Sequence, residues 1–249
     1  MDAGQPRNEE VNWNDFDAKS YLRHNYRTLR GDDRNFIIAT RDHFTAHPPR
    51  PGAIGVDLGT GANLYPAFTM LPFVEKLTLL DRSVSNVRWI AGQLCFYDRS
   101  WDPFWQVLCE NAIYRRIMDP RAAFRRAGSV LLRDLYTFEP EVQYDIGTMF
   151  FVAESISADW EEFKLALERF LTLLKPGAPL ASAFMENSRG YQVAGKPFPA
   201  VRVDRDDITR LLSPVVEGLS VHYEPAATED GSLREGYDGM ILAVGRKKV

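Results

Sequence analysis

The sequence predicts a three-layer α/β domain built on a mostly parallel sheet. Apolar segments of strand length alternate with segments of helical periodicity over most of the chain, which is typical of a parallel sheet covered by helices. The last two strand-like segments have no helix between them, which predicts an antiparallel edge. With 249 residues, of which 45% are hydrophobic, the chain is large enough to bury a core as a single domain, residues 1–249.

The amino-terminal part changes character twice. Residues 1–12 are polar and predict a disordered tip. Residues 13–47 predict helices, with Tyr21, Leu22 and Tyr26 at helical spacing. The segment HPPRPG at 47–52 ends this part, because proline cannot continue a helix.

The remainder, residues 53–249, alternates strands and helices. Ser83 is a candidate N-cap for one helix, and Lys175-Pro176-Gly177 stops another. The predicted strands are 53–58, 75–81, 129–135, 144–151, 178–185, 219–225 and 239–247. The predicted helices are 83–94, most of 101–128 with a break at Asp119-Pro120, 159–174 and 204–215.

Composition narrows the classes of function. A net charge of −4 argues against a surface that tracks nucleic acid phosphates, and no apolar run reaches the roughly 18 residues that a membrane span needs. Cys95 and Cys109 do not make a disulfide framework, which favours a reducing cytoplasm. The four histidines show no metal-site spacing with these cysteines, so no metal is expected. We expect a monomer or weak dimer.

A glycine turn follows the first strand in DLGTGANL. Gly59 and Gly61 permit positive φ and close approach of a ligand, but a dinucleotide fingerprint would need a third glycine where Leu64 stands. Asp57 adds a negative charge, and Asp81, 24 residues later at the end of the second strand, is placed to accept ribose hydroxyls. Together they favour an unphosphorylated nucleoside such as S-adenosylmethionine over a dinucleotide or a plain turn.

Several segments together resemble a known family. They are FDAKSYLRHNY (16–26), DLGTGANLYPA (57–67), LLDRSVSNV (79–87), WDPFW (101–105), LLRDLY (131–136), LTLLKPGAPL (171–180) and YQVAGK (191–196). The chain resembles the class I S-adenosylmethionine-dependent methyltransferases, and within them the nicotinamide, phenylethanolamine, thioether and indolethylamine methyltransferases, including actinobacterial members. This implies a Rossmann-like fold with a seven-stranded sheet, and residues 13–47 as a helical lid.

The resemblance also implies a site for S-adenosylmethionine, with S-adenosylhomocysteine as product. The residues that it assigns are Tyr21 and Tyr26 as lid tyrosines, Gly59, Gly61 and Tyr65 around the amino acid portion, Asp81 and Asn86 at the ribose, Asp134 and Leu135 at the adenine, and Thr148 at the methionine end. Asp57 and Arg82, beside these positions, complete the expected set. The alternatives are a core stripe for the tyrosines, a helix cap for Asp134 and a surface acid for Asp81.

Methyl transfer to an amine needs a free lone pair, hence a group that takes the amine's proton. Glu186 follows the fifth predicted strand and is the candidate acid, with Tyr191 as an aromatic wall or hydroxyl; a surface carboxylate is the alternative for Glu186. The nicotinamide enzyme has a serine where Pro199 and Ala200 stand, which argues against nicotinamide. We expect methylation of a small acceptor, most simply at nitrogen, in specialised metabolism. Methylation of carbon or oxygen, for example an indole carbon, and cofactor binding without turnover stay open; a nucleic-acid methyltransferase is disfavoured, because no N-P-P-Y-type signature follows the fourth strand.

Overall fold

A seven-stranded sheet organises the computed structural model, which describes residues 6–226 and 236–249. The strands are β1 Ile54–Leu58, β2 Lys76–Asp81, β3 Gly128–Leu132, β4 Ile146–Phe150, β5 Pro179–Glu186, β8 Val216–Pro225 and β9 Gly239–Lys247, and β6 Tyr191–Val193 pairs with β7 Lys196–Phe198 as a separate hairpin. The helices are α1 Ala18–Asn25, α2 Gly31–Ala46, α3 Tyr65–Met70, α4 Val84–Cys95, α5 Asp102–Leu108, α6 Ala112–Arg115, α7 Pro120–Ala127, α8 Trp160–Leu173 and α9 Arg205–Leu212.

The strand order is β3-β2-β1-β4-β5-β9-β8. The first five strands are parallel, and β9 runs antiparallel between β5 and β8, so the predicted antiparallel edge is confirmed. The chain moves outward from β1 to β2 and then returns to the other side of β1 as β4. At such a switch point the connecting segments diverge and leave a crevice at the carboxyl ends of the strands.

Two apolar layers cover the sheet. One contains Phe36 of α2 and Phe104 of α5, and the other contains Phe163 and Phe170 of α8 and Ile208 of α9. This is the three-layer α/β arrangement that the alternation of strands and helices predicts. Within the described residues, no helix combines the length and apolar character needed to cross a bilayer.

The predicted helix signals have local causes in the structure. The Ser83 hydroxyl accepts the backbone N–H of Asn86 and so caps α4, as predicted. Helix α8 begins at an Asp159 cap and ends at Leu173, just before Lys175-Pro176-Gly177, where Gly177 has a φ of +79°. Because β2 and β4 both run parallel to β1, the loops that follow them lie at the same edge of the sheet.

Three differences from the predicted elements bear on the site. Strand β3 ends at Leu132, so residues 133–135 leave the sheet. Helix α3 shows no amphipathic pattern because all six of its residues are buried. The β6–β7 hairpin has strands of only three residues, too short for a periodic signal.

The described part of the predicted disordered tip, residues 6–12, has a defined course. A 3₁₀ turn at Asn8–Glu10 buries Asn8, whose backbone N–H donates to Glu162 Oε2 at 2.8 Å. The Trp13 indole N–H donates to Asn8 Oδ1 at 2.9 Å. This segment therefore packs on α8 and reaches the crevice. Residues 1–5 lie outside the described residues.

Candidate functional site

A cavity opens at the carboxyl ends of β1, β2 and β4. Its volume is about 780 Å³, counting the open mouth. Ten of the sequence-predicted site residues line it: Tyr21, Tyr26, Gly59, Gly61, Asp81, Arg82, Asn86, Asp134, Leu135 and Tyr191. The structure thus brings residues from five separate segments together at the switch point of the sheet.

The glycine turn forms the floor of this cavity. Gly59 has a φ of +63° and Gly61 a φ of +51°, which is the left-handed region that glycine adopts readily. A Cβ on Gly59 would lie 2.5 Å from Val152 Cγ2, whereas the nearest atom to a Cβ on Gly61 would be the Gly59 carbonyl oxygen at 3.6 Å. Gly59 therefore permits close packing inside the protein, and Gly61 leaves space on the cavity side.

Asp81 is held in position by its neighbours. Its Oδ2 accepts the Gly61 backbone N–H at 2.9 Å, and its Oδ1 accepts the Ser83 N–H at 2.8 Å. The Asn86 side-chain amide donates to the same carboxylate at 3.2 Å. Burial raises the pKa of Asp81, and these hydrogen bonds oppose that rise. The result is a carboxylate of fixed orientation at the cavity wall.

Arg82 and Asp134 form one end of the cavity. Arg82 Nη1 lies 3.3 Å from Asp134 Oδ2 and donates to the Asn8 carbonyl oxygen at 3.1 Å. The Asp134 carboxylate also accepts the Tyr136 N–H at 2.9 Å, and Leu135 is buried beside it. A carboxylate next to an apolar side chain provides an acceptor and a flat apolar contact, which suits a purine amino group and ring.

Aromatic residues of the amino-terminal segment cover the cavity. The rings of Tyr21 and Tyr26 are 6.0 Å apart, and Tyr21 also contacts Phe16 at 5.0 Å and Tyr191 at 6.4 Å. The Tyr191 hydroxyl donates to the Ser155 carbonyl oxygen at 3.3 Å. Tyr21 and Tyr26 line the cavity, and their closing over a bound cofactor stays a prediction.

Asp57 and Thr148 lie behind the wall. They are register partners on β1 and β4, so their side chains share a face, and Thr148 Oγ1 donates to Asp57 Oδ1 at 2.7 Å. Burial raises the pKa of Asp57 to about 7, although the hydrogen bonds from Thr148 and Thr60 act in the opposite direction. Both residues support the glycine turn from below.

Tyr65 is fully buried beneath the turn. Its ring stacks on Phe104 at 5.9 Å and meets Tyr26 edge-on at 6.0 Å. The predicted contact of Tyr65 with the amino acid portion of a cofactor stays a prediction, since this side chain lies under the cavity rather than in its wall.

Glu186 lies on the opposite face of β5 from the lid. Successive strand residues alternate faces, and Met185 points toward Tyr21 and Tyr26. The Glu186 carboxylate accepts Arg205 Nε at 3.2 Å, and that guanidinium stacks 4.1 Å above the Tyr223 ring. The predicted role of Glu186 as the acceptor's acid therefore has no support from its position, because it lies one residue out of register with the cavity face.

Sequence reasoning missed several wall residues. Phe150, Phe151, Val152, Ser155 and Ile156 follow β4 and line the cavity. Their position after a central parallel strand is the signal that could have identified them. Asn8, Trp13 and Arg133 also line it, but nothing local in the sequence marks them.

A smaller inner chamber adjoins the cavity; it measures about 250 Å³ when all space between its atoms and the open solvent are counted, and the centre of a water-sized group can reach about 10 Å³ of it. Tyr21, Tyr26 and Phe151 line both spaces. The remaining lining residues of the inner chamber are Asn25, Asp33, Met185 and Met240. Asp33 belongs to α2 and was not among the predicted site residues.

The wall of the cavity fits S-adenosylmethionine. The open side of Gly61 leaves room for a ligand, and Asn86 Oδ1 is a buried oxygen without a hydrogen-bond partner among the described residues. Asp81 and Asp134 add acceptors at two points. In the part of the chain that the structure describes, no group of three or more His, Cys, Asp or Glu side chains is arranged to hold a metal ion.

The sheet order and this crevice are those of a class I methyltransferase. A family model described as the NNMT/PNMT/TEMT family matches residues 7–248, and the chain belongs to this family of S-adenosylmethionine-dependent methyltransferases. Mouse indolethylamine N-methyltransferase is 23% identical over 79% of this chain and 77% of its own length. Rat phenylethanolamine N-methyltransferase is 24% identical over 93% of this chain and 88% of its own length.

Solved structures share the fold. The N-methyltransferase NodS from Bradyrhizobium japonicum WM9, in complex with S-adenosylhomocysteine, has a TM-score of 0.54 and 14% identity over 92% of this chain and 98% of its own. The [4+2]-cyclase SpnF has a TM-score of 0.58 and 13% identity over 89% of this chain and 84% of its own. Because one of these two similar folds belongs to a cyclase, the fold alone does not define the reaction.

Proposed function

We propose that this protein transfers a methyl group from S-adenosylmethionine to a nitrogen atom of a small amine or heterocycle. The observation that carries the proposal is the position of Asp81: a buried carboxylate, oriented by the Gly61 amide, at the switch point of a class I methyltransferase sheet. S-adenosylmethionine supplies a methyl carbon on a positively charged sulfur, a leaving group that is already activated.

In this proposal each wall residue has a binding task. Asp81 accepts the ribose hydroxyls, with Asn86 beside it, and Asp134 and Leu135 receive the adenine. The turn at Gly59 and Gly61 passes close to the amino acid portion, above Asp57 and Thr148. Methyl transfer is an in-line displacement, so orientation of the two reactants and exclusion of water are the protein's main contributions.

The lid supports the exclusion of water. Phe16, Tyr21 and Tyr26 cover the cavity with aromatic surface, and Tyr191 closes it from the β6–β7 hairpin. A dry site strengthens the interaction between a carboxylate and a cationic ligand. In this proposal Tyr191 forms one wall of the site for the methyl acceptor. Glu186 would act on the acceptor only after its carboxylate leaves the ion pair with Arg205.

Two alternatives follow from the same fold. The walls next to the lid are rich in aromatic and methionine side chains, which would also suit an apolar acceptor methylated at carbon, such as an indole, or at oxygen. A protein that binds the cofactor without turnover is the second alternative. Transfer of a labelled methyl group distinguishes them, because only an N-methyltransferase yields an N-methyl product.

The proposal includes a cellular setting. Cys95 and Cys109 are free thiols in the structure, which favours a reducing cytoplasm. A monomer or weak dimer acting on a small molecule of specialised metabolism, rather than on nucleic acid, is the expectation that goes with the net charge of −4.

Titration calorimetry with S-adenosylhomocysteine tests the cofactor site. The wild type should bind with micromolar affinity, and Asp81→Ala should bind at least ten-fold more weakly, which corresponds to about 1.4 kcal/mol. Asp206→Ala is the matched control, because Asp206 is exposed on α9, on the opposite layer from the lid. Absence of binding to the wild type would contradict the proposed function.

A screen for turnover then tests the chemistry. Wild type with methyl-labelled S-adenosylmethionine and a panel of small amines should give N-methyl products, detected by mass spectrometry. Tight cofactor binding with no product from amines, indoles or phenols would favour the alternative without turnover.

A further inference from the structure

Asp33 is a buried acid without a cationic partner. Its exposed fraction is 2%, and no Lys, Arg or His side chain of the described residues lies within ion-pair distance of it. The nearby Arg30 guanidinium pairs with Asp32 instead, at 3.4 Å. The one nearby cation is thus taken by Asp32, and a buried acid such as Asp33 is costly unless something compensates for it.

The surroundings of Asp33 also contain a buried hydroxyl. The fully buried Tyr65 hydroxyl neighbours the Asp33 carboxyl and lowers its pKa as a hydrogen-bond donor does, although within the described residues it makes no hydrogen bond of standard geometry. Buried polar groups are normally paired, and one that is not invites a ligand group as its partner. A ligand group with several N–H donors beside Asp33 would donate hydrogen bonds both to the Asp33 carboxylate and to the Tyr65 hydroxyl oxygen.

The walls of the inner chamber are apolar and aromatic. Tyr21 and Tyr26 contribute rings, and Phe151, Met185 and Met240 contribute apolar surface. Aromatic faces attract ammonium ions, and a carboxylate in such a setting adds a direct charge partner. This combination selects an alkylammonium group over a neutral alcohol or an anion.

Phe151 lies between this chamber and the main cavity, and its backbone is strained. It is a non-glycine residue with a φ of +59°, and its N–H donates to the Ala183 carbonyl oxygen at 2.7 Å. Such conformations cost of order 1–3 kcal/mol and are concentrated at functional sites. Here the strained residue is the shared wall between the place proposed for the cofactor and the chamber that contains Asp33.

We propose that the inner chamber binds the amino group of the methyl acceptor, and that the Asp33 carboxylate receives that group. This rests on the proposed function, and it assigns the amino group of the acceptor a place in the fold and a residue that takes its proton. The amine end occupies the inner chamber, and the Tyr65 hydroxyl is the second polar contact.

The same carboxylate prepares the amine for reaction. Asp33 takes one proton from the ammonium, which gives a carboxylic acid and a neutral amine. The nitrogen lone pair then forms the bond to the methyl carbon, and the electron pair of the broken carbon–sulfur bond stays on sulfur. The positive charge passes from the sulfonium to the methylated ammonium, so charge is conserved.

Proton affinity supports this role. Burial, reinforced by the negative charge of Asp32, raises the pKa of Asp33 to about 8, while Tyr65 and Arg30 act in the opposite direction. An ordinary carboxylate holds a proton far too weakly to deprotonate an alkylammonium ion, whose pKa is about 10. The raised pKa brings the two groups closer, which favours the transfer.

The test is a set of matched ligands in the presence of saturating S-adenosylhomocysteine. Each of butylamine, 2-phenylethylamine and tryptamine is paired with the alcohol of the same skeleton, and binding is measured by calorimetry and thermal shift. We expect binding to favour the amines, and Asp33→Asn to weaken amine binding at least ten-fold while S-adenosylhomocysteine affinity stays within two-fold. Asp33→Glu should retain part of the preference for amines.

Asp42→Asn is the control, since Asp42 lies on the same helix with a half-exposed side chain. Equal binding of amines and alcohols, no binding of any pair, or an unchanged amine preference in Asp33→Asn would overturn the inference. Failure of S-adenosylhomocysteine to bind the wild type would instead contradict the proposed function, so the two failures are distinguishable. Asp33→Asn keeps the size of the side chain, and a cooperative thermal unfolding transition is the check that the variant folds.

Discussion

At the scale of single residues, buried carboxylates dominate this protein's chemistry. Asp33, Asp57 and Asp81 all lie below a tenth exposed, and burial raises the pKa of each. Their partners differ, however. Asp81 receives two backbone amides, Asp57 receives one hydroxyl from Thr148, and Asp33 has no ion pair with any described residue. The burial of Asp81 is therefore the best compensated of the three, and its carboxylate is a preorganised acceptor. The burial of Asp33 is the least compensated, which suits this group to take a proton.

The variant Asp57→Asn tests the raised pKa of Asp57 through the pH dependence of folding stability. The pKa of Asp57 is raised from 3.8 to about 7 in the folded protein, so the folded state binds this proton more tightly than the unfolded state does. Stability is therefore lost as pH rises from about 4 to about 7. The asparagine can still accept from Thr148 but does not titrate.

Urea unfolding between pH 4.5 and 8 is the measurement. The wild type should lose stability relative to Asp57→Asn as pH rises, with the difference levelling off above pH 7, while Asp206→Asn should follow the wild type. Parallel stability curves for wild type and Asp57→Asn would contradict the assignment of a raised pKa to Asp57.

At the scale of elements, the turn after β1 requires glycine at two positions for two different reasons. Gly59 faces Val152 inside the protein, and Gly61 faces the cavity. Both positions are left-handed, so an alanine at either costs roughly 1–2 kcal/mol in backbone strain. Only the alanine at Gly59 adds a clash.

Gly59→Ala should therefore lower the melting temperature more than Gly61→Ala does, because its Cβ would meet Val152 Cγ2 at 2.5 Å. Gly61→Ala should mainly weaken S-adenosylhomocysteine binding, by ten-fold or more. Adding Val152→Ala should restore part of the stability of Gly59→Ala and none of the affinity of Gly61→Ala. Thermal unfolding and calorimetry check this, and the reverse order of effects would contradict it.

At the scale of the whole molecule, hydrogen bonds, ion pairs and ring contacts join the amino-terminal segment to the core. They include Asn8 to Glu162, an ion pair from Lys196 to Asp15 at 2.8 Å, and Trp13 stacked on Phe198 at 5.6 Å. Entry of a ligand to a covered site requires such a segment to open.

Hydrogen exchange with and without S-adenosylhomocysteine tests the lid. We expect slower exchange over residues 6–26 and 59–65 in the presence of the ligand, because the ligand links the lid to the core. The β8–β9 edge should exchange at the same rate in both conditions and serves as the internal reference. Unchanged exchange over residues 6–26 would show that this segment does not respond to the cofactor.

The sequence by itself determined the layer architecture and most of the cavity wall. Alternating apolar segments define the parallel strands, and the carboxyl ends of such strands meet at one edge, so Gly59, Gly61 and Asp81 had to converge. The lid tyrosines and Asp134 came from the family resemblance, and the structure places them in the same wall.

Only the tertiary structure decided which acids face the inner chamber. Glu186 and Met185 differ by one position, and a strand that extends to residue 186 turns the glutamate toward Arg205 and the methionine toward the lid. Asp33 carries no local signal, since on α2 it resembles any acid in the first turn of a helix. Its burial against Tyr65 depends on how α2 packs across α3. Strand periodicity and helix packing set the direction of a side chain, and neither can be inferred from its identity.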